Sequence, residues 1–174
     1  LEEFFFLFYL LAAASKFVEM REIFLQLITE NPEYFINKIF IEISRVLNVL
    51  LASRNQAFFI LKLSIGTKLR VRGIEVTINS FDGETIKVTD YQKKEKSYLF
   101  KEFHLSDWLV LAGLRSFDAP FIYQNGLKYL LEGQYQKAHA ALLLALKKGI
   151  NCRTYLFAVE SKLGDMQRSN YLEA

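Results

Sequence analysis

His104, Ser106 and Asp107 bring the side-chain types of a nucleophilic triad within four consecutive positions. At the start of one helix such neighbours cannot face one another as a triad must. Their ordinary use is end-capping, so Ser106 is expected to cap a helix, with Leu105 stapled onto Val110 a turn later. His139 falls in an apolar helical run and is expected to pack or to sit at the surface. Cys152, the single cysteine, follows a glycine break and has no histidine near it. A buried, inert thiol is expected there, and one cysteine excludes both an internal disulfide and a thiolate metal cluster. The sequence carries no Gly-rich phosphate loop, no paired metal-ligand spacing and no nucleophile elbow. We therefore expect no enzyme, no catalytic residue, no cofactor and no metal.

Residues 66–103 hold eight basic side chains (Lys68, Arg70, Arg72, Lys87, Lys93, Lys94, Lys96, Lys101) against six acidic ones. Tyr91 or Tyr98 could stack a base among them, as in RNA-binding sheets. However, the basic residues alternate with apolar ones, which is how any solvated sheet face reads, and a segment charge of +2 is thin support for phosphate contacts.

The elements that must position these side chains come from a chain of 174 residues, 52% hydrophobic and 24% charged, which excludes disorder and low complexity. Net charge is +3, too balanced to demand a polyanion. The run Phe4–Ala14 is shorter than the roughly 20 residues of a membrane span. Glu2 and Glu3 precede it where a signal peptide would carry positive charge, so a helix buried on all sides is expected. A membrane is disfavoured as partner but not excluded by Phe4–Ala14. The lone cysteine fits a reducing compartment, and a cytoplasmic location is expected. Because the sequence begins at Leu1, a part of a longer polypeptide is expected.

Helical spacing of Val18, Met20, Ile23, Phe24, Leu27 and Ile28 predicts one helix. Asn31-Pro32-Glu33 predicts the cap and first turn of the next. Its stripe runs through Ile36, Ile39, Phe40, Ile43, Val46 or Leu47, and Leu50. Ser53–Gln56 either breaks this helix or is an exposed turn of it, and Gly66 ends the helical region. From Thr67 the period becomes two, in Leu69/Val71, Ile74/Val76/Ile78 and Ile86/Val88, which predicts antiparallel strands. A three-residue loop Phe81-Asp82-Gly83 pairs Ile78 with Ile86 and Val76 with Val88, and requires Gly83 in the left-handed region. Arg72-Gly73 is either a bulge or a tight turn pairing Val71 with Ile74. Gln92–Lys96 reads as a loop before a short strand through Tyr98 and Phe100. Asp118-Ala119-Pro120 opens another helix, with later breaks at Gly133, Gly149-Ile150-Asn151 and Gly164-Asp165.

Within 122–150, Gly126, Tyr129 and Ala138 match the pattern W-x2-L-G-x2-Y…A-x3-F…P, Leu142 replaces its phenylalanine, and Asn125 and Ile150 depart from it. This segment resembles a tetratricopeptide repeat, with Gly133-Gln134-Tyr135 as its inter-helix turn and Ala145 at a close approach. Arg153 through Gly164-Asp165-Met166 could form a second, poorer unit or a capping turn, and Glu30-Asn31-Pro32 could end an earlier, degenerate repeat. The resemblance implies a groove face carrying Tyr123, Leu127 and Leu130 as partner-binding residues. The strand segment resembles, in organisation, a small SH3-like or Sm-like barrel between helical repeats.

The expected fold is α+β, mainly α: a helical region over 1–65, a small antiparallel sheet or open barrel over 66–103, and a TPR-like helical region over 104–174. The expected function is non-catalytic protein–protein interaction or scaffolding within a larger polypeptide, the partner being a protein or neighbouring domains of the same chain. RNA binding through the β insert is the alternative, although nucleic acid is the less favoured partner.

Overall fold

The computed structural model describes residues 2–36 and 38–172; the side chains of 2–5, 35, 36, 39 and 168–172 lie outside the description. Its described elements are α1 (Glu2–Ala13), α2 (Phe17–Glu30), a 3-10 turn (Pro32–Ile36), α3 (Lys38–Leu63), β1 (Lys68–Val71), β2 (Ile74–Phe81), β3 (Thr85–Asp90), β4 (Glu95–Leu99), a 3-10 turn (Phe100–Glu102), α4 (Leu105–Leu111), α5 (Ala119–Leu131), α6 (Tyr135–Lys147) and α7 (Arg153–Leu172). The class is α+β, mainly α, as the sequence predicts. The expected boundaries at 65/66 and 103/104 follow changes of secondary structure, whereas packing groups residues 1–48 with 116–174 as one compact unit and 49–115 as another.

In the second unit the strands form an antiparallel meander in the order β1-β2-β3-β4. Arg72 (φ 48°) and Gly73 (φ 80°) make a tight turn that sets Val71 opposite Ile74. Two positive φ values mark the mirror-image turn whose twist suits a hairpin. The β2–β3 register differs from the expected one: Ile78 faces Val88 and Phe81 faces Ile86, with an irregularity between Ile78 and Ser80. Phe81 is therefore a strand residue and not part of the loop. The extra residue at Asn79 lets two exposed positions follow each other, so that Phe81 turns inward like Val76 and Ile78. Asp82 closes the hairpin, its Oδ1 accepting the N–H groups of Glu84 (2.8 Å) and Thr85 (2.7 Å). Gly83 takes the positive φ (106°) that the sequence assigns to it.

The three-residue loop appears at the next hairpin instead. Tyr91-Gln92-Lys93 lie between Asp90 and Lys94, which are paired by the Asp90 N–H donating to the Lys94 carbonyl (3.0 Å), with Lys93 left-handed (φ 60°) and Asp90 Oδ1 accepting from Gln92 and Lys94. The strand starts at Glu95, inside the stretch expected to be loop, and Phe100 belongs to the 3-10 turn after it. The buried sheet face is aromatic: Phe58 from α3 meets Phe81 (5.1 Å between centroids) and Phe100 (5.7 Å), and Phe100 meets Phe103 (5.8 Å). The Arg54 guanidinium lies over Phe100 and that of Arg72 over Phe103, each at 5.1 Å. Helix α3 runs unbroken through Ser53–Gln56, which resolves that alternative.

In the first unit α1 packs on α2 and on α5, α5 on α6, and α6 on α7. The α1–α2 turn and the α5–α6 turn share one hydrogen-bond scheme, displaced by 118 positions, whose helix-ending bonds also close α4 at Ala112, Gly113 and Leu114 and α6 at Lys148, Gly149 and Ile150. Ala14, Ser15, Lys16 and Met20 donate to Leu10, Ala12, Leu11 and Lys16; Glu132, Gly133, Gln134 and Ala138 donate to Lys128, Leu130, Tyr129 and Gln134. The middle turn residue is left-handed in both, Ser15 at φ 55° and Gly133 at φ 70°. Carbonyls left over at a helix end are satisfied this way when the following residue can adopt positive φ.

Four local expectations are corrected. Asn31 ends α2, its Nδ2 donating to the Leu27 carbonyl, and Pro32 opens a 3-10 turn in place of an α-helix. His104, not Ser106, is the N-cap of α4, because the Asp107 carboxylate reaches back to its N–H (2.9 Å). No break occurs at Gly164-Asp165: α7 continues through it, since a glycine without positive φ interrupts nothing. Finally, α1 is not buried on all sides: Phe8 and Ala12 are buried, but Phe6, Leu7 and Leu10 are exposed.

Candidate interaction surface

Helix α5 starts where Asp118 stands as N-cap and Pro120 occupies the first turn, whose N–H groups have no intrahelical acceptors. Its packing on α6 depends on a missing side chain. A Cβ at Gly126 would lie 2.9 Å from both Cγ and Cδ2 of Leu142 and 3.4 Å from Cβ of Ala141. Ala138, Leu142 and Ala145 of α6 are fully buried. The missing side chain at Gly126 thus brings the helices together while Leu142 fills the gap.

Of the three groove residues expected on α5, Leu127 is completely buried and so offers no surface to a partner. It follows buried Gly126 on the inner side of the helix, and spacing alone did not separate the two sides. Tyr123 and Leu130 are half-buried. Tyr123 sits beside Tyr155 of α7, with ring centroids 6.4 Å apart. Burial pushes its hydroxyl pKa up to about 12. Tyr135 is raised to about 12 as well, by burial and by its hydrogen bond with Tyr9. Neither phenol is a ready base near neutral pH.

The residues picked out for chemistry are otherwise engaged. Cys152 is buried, its thiol donating to the Leu142 carbonyl (3.1 Å), and burial raises its pKa. His139 Nε2 lies 3.2 Å from Glu160 Oε1 on the neighbouring helix. His104 and Ser106 are exposed, and the Asp107 carboxylate caps α4 beside Arg72 (4.0 Å). Among the described residues no group of three or more His, Cys, Asp or Glu could hold a metal ion.

The apolar surface lies elsewhere than the sequence suggests. Phe157 of α7 is 74% exposed and Leu144 of α6 is 44% exposed. A signal for Phe157 was present: Leu156 and Val159 mark the buried stripe of α7, and Phe157 stands off it. On α1, Phe6 (67%) and Leu10 (54%) add a second exposed apolar stretch. No described helix is long and apolar enough to cross a membrane.

No family model matches this chain, nor does any curated protein or solved structure.

On the solvated side of the sheet, Asn79, Lys87, Glu95, Lys96 and Ser97 line an open depression of about 350 Å³. Lys96 is tied to the Asp90 carboxylate (3.0 Å); the Lys94 N–H and then this ammonium lower the Asp90 pKa, and the carboxylate raises that of Lys96. Of the two candidate stacking residues, Tyr91 is 79% exposed, its hydroxyl accepting from Gln92 Nε2 (3.0 Å). Tyr98 is engaged with Phe103 and Arg72.

Proposed function

We propose that this chain is a non-catalytic protein-interaction or scaffolding region of a larger polypeptide, with α1–α2 and α5–α6 as two copies of one TPR-like hairpin. The observation that carries this reading is that the two hairpins align at a displacement of 118 positions through the turn and into the next helix, Met20 N–H donating to Lys16 and Ala138 N–H to Gln134, whereas the turn bonds alone also end α4 and α6. That displacement sets Leu7, Phe24 and Pro32 at the leucine, phenylalanine and proline positions of the repeat pattern. The second hairpin supplies the pattern's remaining small and tyrosine positions in Gly126, Tyr129 and Ala138. Each copy keeps what the other has lost. Repeats of this kind bury one side on their neighbours and leave side chains for partners on another, and the exposed Phe157 and Leu144 suit that use.

A photo-crosslinking residue placed at Phe157, and separately at Tyr123, tests the reading in the full polypeptide. The expected result is one discrete protein adduct, or one intramolecular link to a neighbouring domain, lost when Leu144 is changed to glutamate. Absence of any protein adduct from either position overturns it. The exposed Tyr91 and the Lys87-lined depression favour RNA binding as the second reading. Filter binding at two salt concentrations separates the two, because phosphate contacts weaken steeply with salt.

A further inference from the structure

The sheet order leaves two edges, and they differ. Helix α4 packs against β1, whereas β4 has β3 on one side and no described strand on the other. The phase of the β3–β4 ladder is set at both ends: Phe100 N–H donates to Glu84 O (2.8 Å) and Asp90 N–H to Lys94 O (3.0 Å). Hydrogen-bonded pairs alternate in an antiparallel ladder. The pairs Thr85/Leu99, Lys87/Ser97 and Thr89/Glu95 are therefore the non-bonded ones. It follows that the N–H and C=O groups of Glu95, Ser97 and Leu99 point away from β3. All three residues are exposed, and the strand carries neither proline nor bulge to blunt the edge.

We infer that this edge pairs with β4 of a second copy of the chain, antiparallel about a two-fold axis at Ser97. The register decides the occupant. Centred on Ser97, the outward groups form three hydrogen-bonded pairs, Ser97 with itself and Glu95 with Leu99 in both directions. Centring on Lys96 or Tyr98 leaves an outward-facing residue unpaired on each copy, and centring on Lys96 also sets two ammonium groups opposite each other. In the Ser97 register Lys96 lies opposite Tyr98 and Glu95 opposite Leu99, so no like charges stand directly opposite each other. The contact is isologous and closed, so it stops at two copies, and it joins two four-stranded sheets into one. This inference is independent of the repeat reading above.

Sedimentation velocity of the 174-residue chain across a concentration series tests it, with Ser97→Pro and Ser97→Cys as variants. The Ser97 N–H takes no part in the β3 ladder, so proline removes an intermolecular donor and leaves the chain's own bonds in place. The wild type is expected to show a monomer–dimer equilibrium, and Ser97→Pro to weaken it at least about tenfold at unchanged circular dichroism. Ser97→Cys is expected to give a covalent dimer with a short bis-maleimide linker, since bonded antiparallel partners lie at about 5.5 Å between Cα atoms, within the linker's reach. The buried Cys152 does not compete. A wild type that stays monomeric, a dimer that survives Ser97→Pro, or a Ser97→Cys chain that does not cross-link overturns the proposal. If Ser97→Pro fails to fold, the cysteine variant alone decides.

Discussion

The α5–α6 hairpin and the four-stranded sheet close their interiors by opposite means. In the hairpin a side chain is withheld: Gly126 has no Cβ, and Leu142 occupies the place where one would be. In the sheet unit side chains are piled up, Phe58, Phe81, Phe100 and Phe103 meeting ring to ring while Arg54 and Arg72 cover the outer ring faces. Enlargement should therefore injure the hairpin, and truncation the sheet.

The largest effect is expected for Phe100→Ala. The ring is 1% exposed and touches three others, so its loss leaves a cavity. A cost of about 3–5 kcal/mol follows, read from urea denaturation. Phe100→Leu, which keeps most of the volume, should cost far less; equal costs would mean that the cluster is not what holds the unit.

Gly126→Val tests the other side, at about 1–3 kcal/mol for overpacking. Combining it with Leu142→Ala should recover part of the loss, because the two side chains compete for one space. Simple additivity in that double variant would remove the competition argument. Ala138→Leu belongs to the same class and should lower the melting temperature comparably.

Turn substitutions come next. Gly83→Val should cost about 1–2 kcal/mol, since φ 106° is poorly tolerated by a β-branched residue. Lys93→Gly should gain about 0.5 kcal/mol, because lysine occupies a left-handed position that glycine takes without strain. A loss of stability in Lys93→Gly would refute the geometry of that loop.

The smallest effects are in pH dependence, where the two regions should fail at opposite ends. The hydroxyls of Tyr123 and Tyr135 ionise at about 12 when folded, against an ordinary value of 10.0. Between those values the unfolded chain has released protons that the folded chain still holds, so stability falls as pH rises through that range. The fall in melting temperature above pH 10 should be shallower in Tyr135→Phe than in the wild type. In the sheet unit the Asp82 carboxyl is lowered by the Thr85 and Glu84 N–H groups, and that of Asp90 by the Lys94 N–H and the Lys96 ammonium. Their contribution is present above the ordinary carboxylate pKa of 3.8 and is lost as pH falls through the lowered folded values. Asp82→Asn should lessen the acid sensitivity without altering the alkaline limb.

What the residues alone determined about this protein is local. Periodicity separates helix from strand over most of the chain, and Gly66, Gly83, Gly133 and Gly149 mark places where the backbone takes positive φ, because only the local chain and its sterics are involved. The α5–α6 hairpin was legible for the same reason, its small residues lying at fixed offsets along neighbouring helices. What only the tertiary structure decided is which of several locally acceptable arrangements the core rewards. Phe81 reads as loop beside Asp82-Gly83, yet the aromatic cluster draws it inward and shifts the register through Asn79. Leu127 and Phe157 read alike as apolar helical residues, yet one is buried and the other exposed. The turns after α1 and α5 close with the same backbone hydrogen bonds although their side chains differ, since such a turn needs only a residue able to adopt positive φ, whether Gly133 or Ser15.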